Sequence, residues 1–216
     1  IIAGMSGDES MINAFKNKRD IHRETAAKVF NVNPNDVDRN MRNKAKMVNF
    51  SIIYGISPFG LSQRLSIPRK EASEIINNYF KEFPKIKNHM DNSILFAREN
   101  GYVETILKRK RYLTNINSGN ATVRGFDERN AINAPIQGSA ADIIKIAMIN
   151  IYNKIEKEKL RSKLLLQVHD ELVFDLFNEE LVQLKSIVKK EMMEAINFNV
   201  PLEVEIGVGK NWLDAH

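Results

Sequence analysis

The sequence R-N-K-A-K-M-V-N-F-S-I-I-Y-G occupies residues 42–55 and sets the pattern of the segment around it. Four of its residues recur at every fourth position: Arg42, Lys46, Phe50 and Tyr54. On an α-helix each such step turns about 40° from the last, so these side chains form one stripe. A second stripe, on roughly the opposite side, is apolar: Met41, Ala45, Val48 and Ile52. We therefore predict a helix that buries the second stripe and turns the first one outward.

The outward stripe runs from two cations to two aromatic rings over about 18 Å at 1.5 Å per residue. A nucleoside triphosphate has the same polarity, with anionic phosphates at one end and a flat base at the other. A solvated cationic end with two rings packed on a neighbouring element would give the same pattern. Periodicity alone leaves both interpretations open.

Length and composition limit the class of protein. With 216 residues, 43% of them hydrophobic, the chain can bury a substantial core in one or two domains. The net charge of +5 suits an anionic partner but is too small to identify one. The absence of Cys excludes a disulfide framework and a thiolate metal site, and it fits an intracellular, reducing compartment. No apolar run approaches the roughly 18 residues of a membrane span, so we expect no membrane partner.

Residues 2–101 have an almost wholly helical pattern. Asp20 is the expected N-cap of a helix through Phe30, and Gly101 is the expected C-cap of a helix from Lys85. His22 lies in the first turn after Asp20, where free backbone N–H groups favour phosphate. A lone His is also common as a plain surface or core residue.

The pattern then changes to alternation over residues 102–113, which predicts a β-hairpin. Its turn contains four consecutive cations, Lys108-Arg109-Lys110-Arg111. They form either a solvated turn or a sequence-independent contact with nucleic acid phosphates.

A polar segment from Asn115 to Gly125 predicts a surface loop. From Phe126 to Lys157 a helical pattern follows, interrupted by Pro135 and Gly138. Its polar residues are again four apart: Arg129, Asn133 and Gln137. Asn and Gln can donate to the acceptors that every base pair offers in the minor groove, although exposed amides on a kinked packing helix would look the same.

Residues 164–174 predict two strands, with alternation through His169 in the first, joined by a tight turn at Asp170 and Glu171. Tight hairpins prefer Gly or Asn, and adjacent acids repel each other, so this turn has a conformational cost. A divalent metal would relieve the repulsion, whereas a polar surface turn needs no metal. A closing helix over residues 179–197 and a last strand over 202–208 complete the pattern.

Arg42, Lys46, Phe50, Tyr54 and Gly55 together resemble motif B on the fingers helix of the bacterial DNA polymerase I family, family A. Motif B alone also resembles single-subunit RNA polymerases. Other family motifs follow in the family order, and they extend the resemblance over essentially the whole chain: Ser6-Gly7-Asp8-Glu9, Arg19-Asp20-Ile21-His22, Asn133-Ala134-Pro135-Ile136-Gln137-Gly138, Gln167-Val168-His169-Asp170-Glu171 and Pro201-Leu202-Glu203-Val204-Glu205.

The resemblance implies an α+β, mostly helical fold with α-helical fingers and an antiparallel-sheet palm. Residues 1–20 would lead from the palm into the fingers, 21–125 would form the fingers with a small hairpin, and 126–216 would form the palm. The last strand would join the hairpin in the palm sheet. The family usually has Gly where this chain has Lys108, so the shape of that turn is expected to differ.

The resemblance also implies an activity, template-directed transfer of a nucleotide from a dNTP to a primer 3′-hydroxyl. Arg42 and Lys46 would neutralise the β- and γ-phosphates, and Lys46 would protonate pyrophosphate because Arg does not lose its proton. His22 would contact the triphosphate. Phe50 would pack against the sugar, and Tyr54 would cover the templating pair.

Primer–template DNA is the second implied partner. Seven residues would contact it: Arg109, Arg111, Arg129, Asn133, Gln137, Gln167 and His169. His169 and Glu171 would support the primer end.

Catalysis in the family uses two Mg²⁺ ions, and Asp170 would be a metal ligand with Glu171 beside it. Family members carry a strand ending in Asp-Tyr-Ser-x-x-Glu-Leu-Arg, whose Asp bridges both ions, and the resemblance places it just before Ile1. We therefore expect the upstream portion of the same polymerase as a partner, and we expect the 216-residue chain alone to be inactive.

Two alternatives remain at this point, a single-subunit RNA polymerase and a non-catalytic DNA-binding module. The compartment is also open, because organelles maintain their DNA with polymerases of this family and a plastid or mitochondrion would fit.

Overall fold

The computed structural model describes residues 1–215, and most of them are helical. The helices are, in chain order, α1 (Ile2–Ser6), α2 (Glu9–Lys16), α3 (Ile21–Phe30), α4 (Arg39–Ile53), α5 (Pro58–Leu65), α6 (Arg69–Glu82), α7 (Pro84–Asn100), α8 (Ala121–Glu158), α9 (Leu181–Met193) and α10 (Trp212–Ala215). Four strands form two antiparallel pairs, β1 (Tyr102–Glu104) with β2 (Lys110–Tyr112) and β3 (Lys163–Val168) with β4 (Glu171–Asp175). The predicted α+β, mostly helical fold class is confirmed.

The chain divides into two compact units, Ile1–Gln137 and the residues from Gly138 onward. Within residues 1–215, no helix combines the length and the apolar character needed to cross a membrane.

Helices α3 and α4 pack against each other in the first unit through small residues. Ala26 and Ala27 of α3 and Ala45 of α4 are buried in one cluster, which allows the two helix backbones to approach closely. Side chains cap the starts of both helices: Asp20 accepts from the Arg23 N–H and Asp38 accepts from the Met41 N–H. The capping positions predicted at Asp20 and Gly101 are confirmed.

Asp8 has a second role that its position in the sequence does not indicate. Its Oδ1 accepts from the Met11 N–H at 3.0 Å and caps α2, while its Oδ2 accepts from the Lys85 N–H at 3.1 Å in the first turn of α7. No side chain of its own flanking residues caps α7. One buried carboxylate therefore caps two helices.

The first hairpin is shorter than predicted. Three residues pair on each side, and the connection between them covers residues 105–109. Lys108 has φ +64°, a left-handed conformation that favours Gly. The turn keeps a backbone geometry suited to Gly although a Lys occupies the position.

Helix α8 differs from the prediction at its start and in its middle. It begins at Ala121, so the last five residues of the predicted surface loop are helical. It also continues through Pro135 and Gly138 without an end, where the sequence predicts an interruption. Proline removes one backbone hydrogen bond, but in a helix of 38 residues the bonds on either side maintain the helix.

In the second unit, buried residues of α8 and α9 form the core beneath the β3–β4 hairpin: Ile151, Ile155, Leu184 and Val188. The register pairs Leu164 with Phe174 but Leu166 with Val173, so a bulge at Leu165 breaks the alternation that the sequence predicts. Helix α9 ends at Met193, four residues before the predicted end.

The predicted last strand at residues 202–208 is wrong. These residues have no strand assignment, and the described part of the chain pairs β3 only with β4. The side chains of Leu202, Val204 and Ile206 are nevertheless less exposed than the Glu residues between them. Alternating hydrophobicity thus indicates which side chains face inward, but it does not determine whether the backbone finds a partner.

Candidate functional site

The predicted outward stripe of α4 is confirmed by burial. Ala45, Val48 and Ile52 are buried, whereas Phe50 is 44% exposed although it is a large aromatic residue. The rings of Phe50 and Tyr54 lie 6.3 Å apart between centroids, and the exposed Lys46 side chain lies one turn before Phe50. Cation and rings therefore share one solvent-facing side of the helix.

His22 joins this face from α3. Its ring centroid lies 6.0 Å from that of Phe50, so three rings follow one another along the surface. Burial lowers the pKa of His22, Arg42 and then Lys46 lower it further, and Asp20 acts in the opposite direction. The imidazole is therefore biased towards its neutral form.

Arg42 makes an ion pair that the sequence analysis misses. Its Nε donates to Asp20 Oδ2 at 2.6 Å, while Asp20 Oδ1 caps α3. Burial raises the pKa of Asp20, but the hydrogen bonds from Arg42 and the Arg23 N–H and the charge of Arg42 outweigh it, so that pKa is lowered. The partners are 22 positions apart, and no local pattern connects them.

The end of α4 lies against α8. Gly55 has φ +75°, and a Cβ at this position would lie 3.2 Å from Cδ1 of Ile132 and 3.8 Å from Cγ of Arg129. The position therefore requires Gly for both conformation and space. The ring end of the α4 face is thus adjacent to the part of α8 that carries Arg129.

Arg129, Asn133 and Gln137 share one side of the uninterrupted helix α8. Arg129 and Gln137 are exposed, and Asn133 is half-buried. Among the described residues, Oδ1 of Asn133 is buried and has no hydrogen-bond partner. The three polar groups form a line of donors with the spacing that the sequence predicts.

In the small hairpin, the cations of the turn are exposed. Lys110 Nζ lies 4.0 Å from the centroid of the Tyr102 ring, and the Tyr102 ring packs edge-on against Tyr112. Arg109 and Arg111 are exposed in the connection and in β2. The hairpin therefore has a basic surface, in which Lys110 packs over the Tyr102 ring.

The β3–β4 turn lies in the second unit and consists of His169 and Asp170, one residue earlier than predicted, since Val168 pairs with Glu171. His169 has φ +54°, an uncommon conformation for a residue other than Gly, and Gln167 Nε2 donates to its carbonyl at 2.7 Å. The turn thus has the conformational cost predicted from its composition. Asp170 is exposed, and Glu171 begins β4 and is half-buried.

Asp170 and Glu171 supply oxygen ligands of the kind that Mg²⁺ prefers. Within residues 1–215, however, no group of three or more His, Cys, Asp or Glu residues is arranged to hold a metal ion. The donors present in this part of the chain therefore do not complete a magnesium site.

Comparison with known proteins assigns the chain to a family. The profile described as DNA polymerase family A matches residues 1–214. The chain is 52% identical over 214 residues to DNA polymerase I of Caldicellulosiruptor bescii, covering 99% of this chain and 25% of that protein. It is 49% identical over 215 residues to DNA polymerase I of Geobacillus stearothermophilus, covering 100% of this chain and 24% of that protein.

A solved structure has the same fold. The POL domain of Pol1 from M. smegmatis, in complex with DNA primer-template and dNTP, superposes with a TM-score of 0.95 at 41% identity, over 99% of this chain and 38% of that one. The chain spans about a quarter of the length of the curated relatives named here. These relatives are bacterial and give no support to an organellar origin. On a match over residues 1–214, the chain belongs to DNA polymerase family A.

Proposed function

We propose that this chain forms the fingers and part of the palm of a DNA-directed DNA polymerase. Residues 1–20 lead from the palm, 21–125 form the fingers with the small hairpin, and 126–216 belong to the palm. The observation that carries the proposal is the exposed face that brings Lys46, Phe50, Tyr54 and His22 together. The likeness to a POL domain that is in complex with primer-template and dNTP supports it.

The face suits a dNTP from its phosphates to its base. Lys46 and Arg42 neutralise the β- and γ-phosphates at the cationic end, and His22 contacts the triphosphate beside them. Phe50 packs against the sugar and Tyr54 covers the templating pair. Lys46 gives its proton to the departing pyrophosphate, which Arg cannot do.

Arg42 starts from an ion pair, and this affects how it binds phosphate. Its guanidinium has five N–H donors, and Asp20 takes one of them through Nε. The two terminal nitrogens remain for a phosphate. Asp20 therefore fixes the position of the Arg42 side chain and leaves the other N–H donors of its guanidinium to a phosphate.

Primer–template DNA lies along the donors of α8. Asn133 and Gln137 donate to the minor-groove acceptors that every pair shares, and Arg129 approaches the same DNA. Arg109 and Arg111 of the hairpin bind backbone phosphates, with a contribution that falls as salt rises. Gln167 also contacts the DNA, and His169 and Glu171 support the primer end.

Mg²⁺ supplies charge neutralisation at the reacting phosphate and activation of the primer 3′-hydroxyl in this class of reaction. Asp170 is the ligand that this chain offers, with Glu171 next to it. The ligand set is incomplete within the described residues, so the 216-residue chain by itself is not expected to extend a primer.

The test is single-nucleotide incorporation with this chain substituted for the corresponding quarter of the C. bescii polymerase. Lys46→Ala is expected to lower the incorporation rate at least about a hundredfold, since positioned proton donors contribute about 10²–10⁴. Lys44→Ala is the matched control, because Lys44 is exposed on the same helix with its ammonium 5.9 Å from the centroid of the Phe30 ring. An unchanged rate with Lys46→Ala would contradict the assignment.

A further inference from the structure

Asn49 is a polar residue on the buried side of α4. It is 3% exposed and lies next to Val48, which is fully buried. Its side-chain nitrogen Nδ2 lies 3.0 Å from Nδ1 of His22 in α3. A buried amide is unfavourable unless it makes hydrogen bonds, so its contact with a residue of the proposed nucleotide face points to a role there.

The contact selects one form of the neutral imidazole. An amide NH₂ group only donates, so Nδ1 of His22 has to be the acceptor and Nε2 has to carry the proton. Phe50 packs beside the same ring, at 6.0 Å between centroids, and restricts its rotation. His22 is therefore fixed with an N–H donor at Nε2, the form that a phosphate oxygen can accept from.

The oxygen of the same amide lacks a partner. Within the described chain, Oδ1 of Asn49 is buried and accepts no hydrogen bond. If His22 becomes imidazolium, both ring nitrogens carry protons, and Nδ1–H then needs an acceptor. Half a turn of the Asn49 amide places Oδ1 against Nδ1. Asn49 can therefore hydrogen-bond to the imidazole of His22 in both its neutral and its charged form. Its Oδ1 has a hydrogen-bond partner only when the imidazole is charged.

The charges around His22 determine when it takes up a proton. Asp20 caps the helix that carries His22, and Arg42 and Lys46 act on His22 from α4. Without a ligand, burial lowers the pKa of His22 most, and Arg42 and Lys46 lower it further, whereas Asp20 raises it. The net effect favours the neutral imidazole. A bound triphosphate adds negative charge beside the ring and favours the imidazolium.

We propose that Asn49 is a positioning residue for His22. Its amide NH₂ group donates to Nδ1, which leaves the N–H at Nε2 to donate to a phosphate. When nucleotide binding brings a proton onto the ring, the amide rotates so that Oδ1 accepts from Nδ1–H. The ligand class is a nucleoside triphosphate, recognised through its phosphates. The proton coupling rests on the proposed dNTP site, whereas the tautomer of His22 does not.

The first experiment needs no nucleotide. The 216-residue chain has four His residues, so ¹⁵N labelling of His allows each imidazole to be followed by NMR from pH 5 to 8. At high pH, Nδ1 of His22 should give the signal of an unprotonated ring nitrogen. Asn49→Asp, which keeps the shape and adds a charged acceptor, should raise the pKa of His22 by about one unit or more.

Asn43→Ala is the matched control, because Asn43 is exposed on the same helix, and it should change neither result. A proton on Nδ1 in the neutral form, or an unchanged pKa in Asn49→Asp, would overturn the positioning role. Asn49→Asp preserves the volume of the buried side chain, so the test does not depend on the folding of a truncated variant.

The second experiment adds dTTP to the wild-type chain and to Asn49→Asp. In the wild type the pKa of His22 should rise by about one unit, so the affinity should increase severalfold as the pH falls from 8 to 6 and approach a tenfold increase only below the pKa of the ligand-free chain. In Asn49→Asp the added carboxylate already favours the imidazolium without nucleotide, so this pH dependence should be weaker. Binding of dTTP with an unchanged pKa would refute the coupling and leave the proposed function intact. A correct tautomer in a chain that binds no dTTP would refute the proposed nucleotide site instead.

Discussion

Replacing Asp8 by Ala should destabilise two helices at once. The Asp8 carboxylate is 1% exposed, and it accepts from the Met11 N–H in α2 and from the Lys85 N–H in α7. Ala removes both acceptors, and burial gives water little access to the Met11 N–H, whereas the Lys85 N–H is partly buried. Asp8→Asn keeps one acceptor oxygen and turns an NH₂ group towards the other N–H, so it should have part of the effect.

The magnitude follows from the two caps. Loss of an N-cap acceptor costs about 0.5–2 kcal/mol, and a buried donor left unpaired costs about 1–3 kcal/mol. Two such sites give about 2–4 kcal/mol for Asp8→Ala, since the relief of a buried charge offsets part of the loss. For a chain of this length that corresponds to a decrease in Tm of roughly 4–16 °C. Asp8→Asn should lose about half as much.

The assay is urea unfolding followed by far-UV circular dichroism, with thermal unfolding as a second measurement. Asp38→Ala is the matched control, because Asp38 is exposed and caps only α4 through the Met41 N–H. It should cost about 1 kcal/mol. If Asp8→Ala were no more destabilising than Asp38→Ala, the double cap would have no energetic importance and the reasoning would be refuted.

Three further predictions test other parts of the structure. Gly55→Ala should lower the free energy of unfolding by about 1–3 kcal/mol, because φ is +75° and Cβ would lie 3.2 Å from Ile132; urea unfolding with wild-type stability would contradict this. Burial raises the pKa of Asp20, but the hydrogen bond from Arg42 is the chief cause of a net lowering of that pKa in the folded state. The ionised Asp20 carboxylate therefore contributes to stability above about pH 4, and this contribution is lost as the pH falls through the folded pKa. Arg42→Gln should therefore reduce the loss of stability between pH 5 and pH 2 in urea unfolding, and an identical pH profile would show that the pair has no such effect. Gln137→Ala should weaken primer–template affinity about equally across sequences, and a loss confined to one base pair would exclude the shared minor-groove acceptors.

The features that the sequence predicts are those that depend on neighbours along the chain. The two stripes of α4 follow from helical spacing, and the caps at Asp20 and Gly101 follow from local backbone chemistry. A turn with a conformational cost is likewise predicted at Asp170-Glu171, and the uncommon conformation is found one residue earlier, at His169. The functional roles of the exposed residues remain predictions.

The features that the sequence misses depend on partners far along the chain. The ion pair of Arg42 with Asp20 and the contact of Asn49 with His22 join different helices, 22 and 27 positions apart. The predicted strand at 202–208 fails for the same reason, because a strand requires an edge to pair with and hydrophobic alternation does not supply one.

The β3–β4 hairpin also affects how the chain behaves in concentrated solution. In the described part of the chain each of these strands pairs only with the other, so each has one edge of unpaired backbone N–H and C=O groups. Leu165 and Leu166 beside the bulge are 58% and 44% exposed. Open edges with apolar side chains are where strands of other molecules add, and this hairpin is therefore the place where self-association of the 216-residue chain should begin.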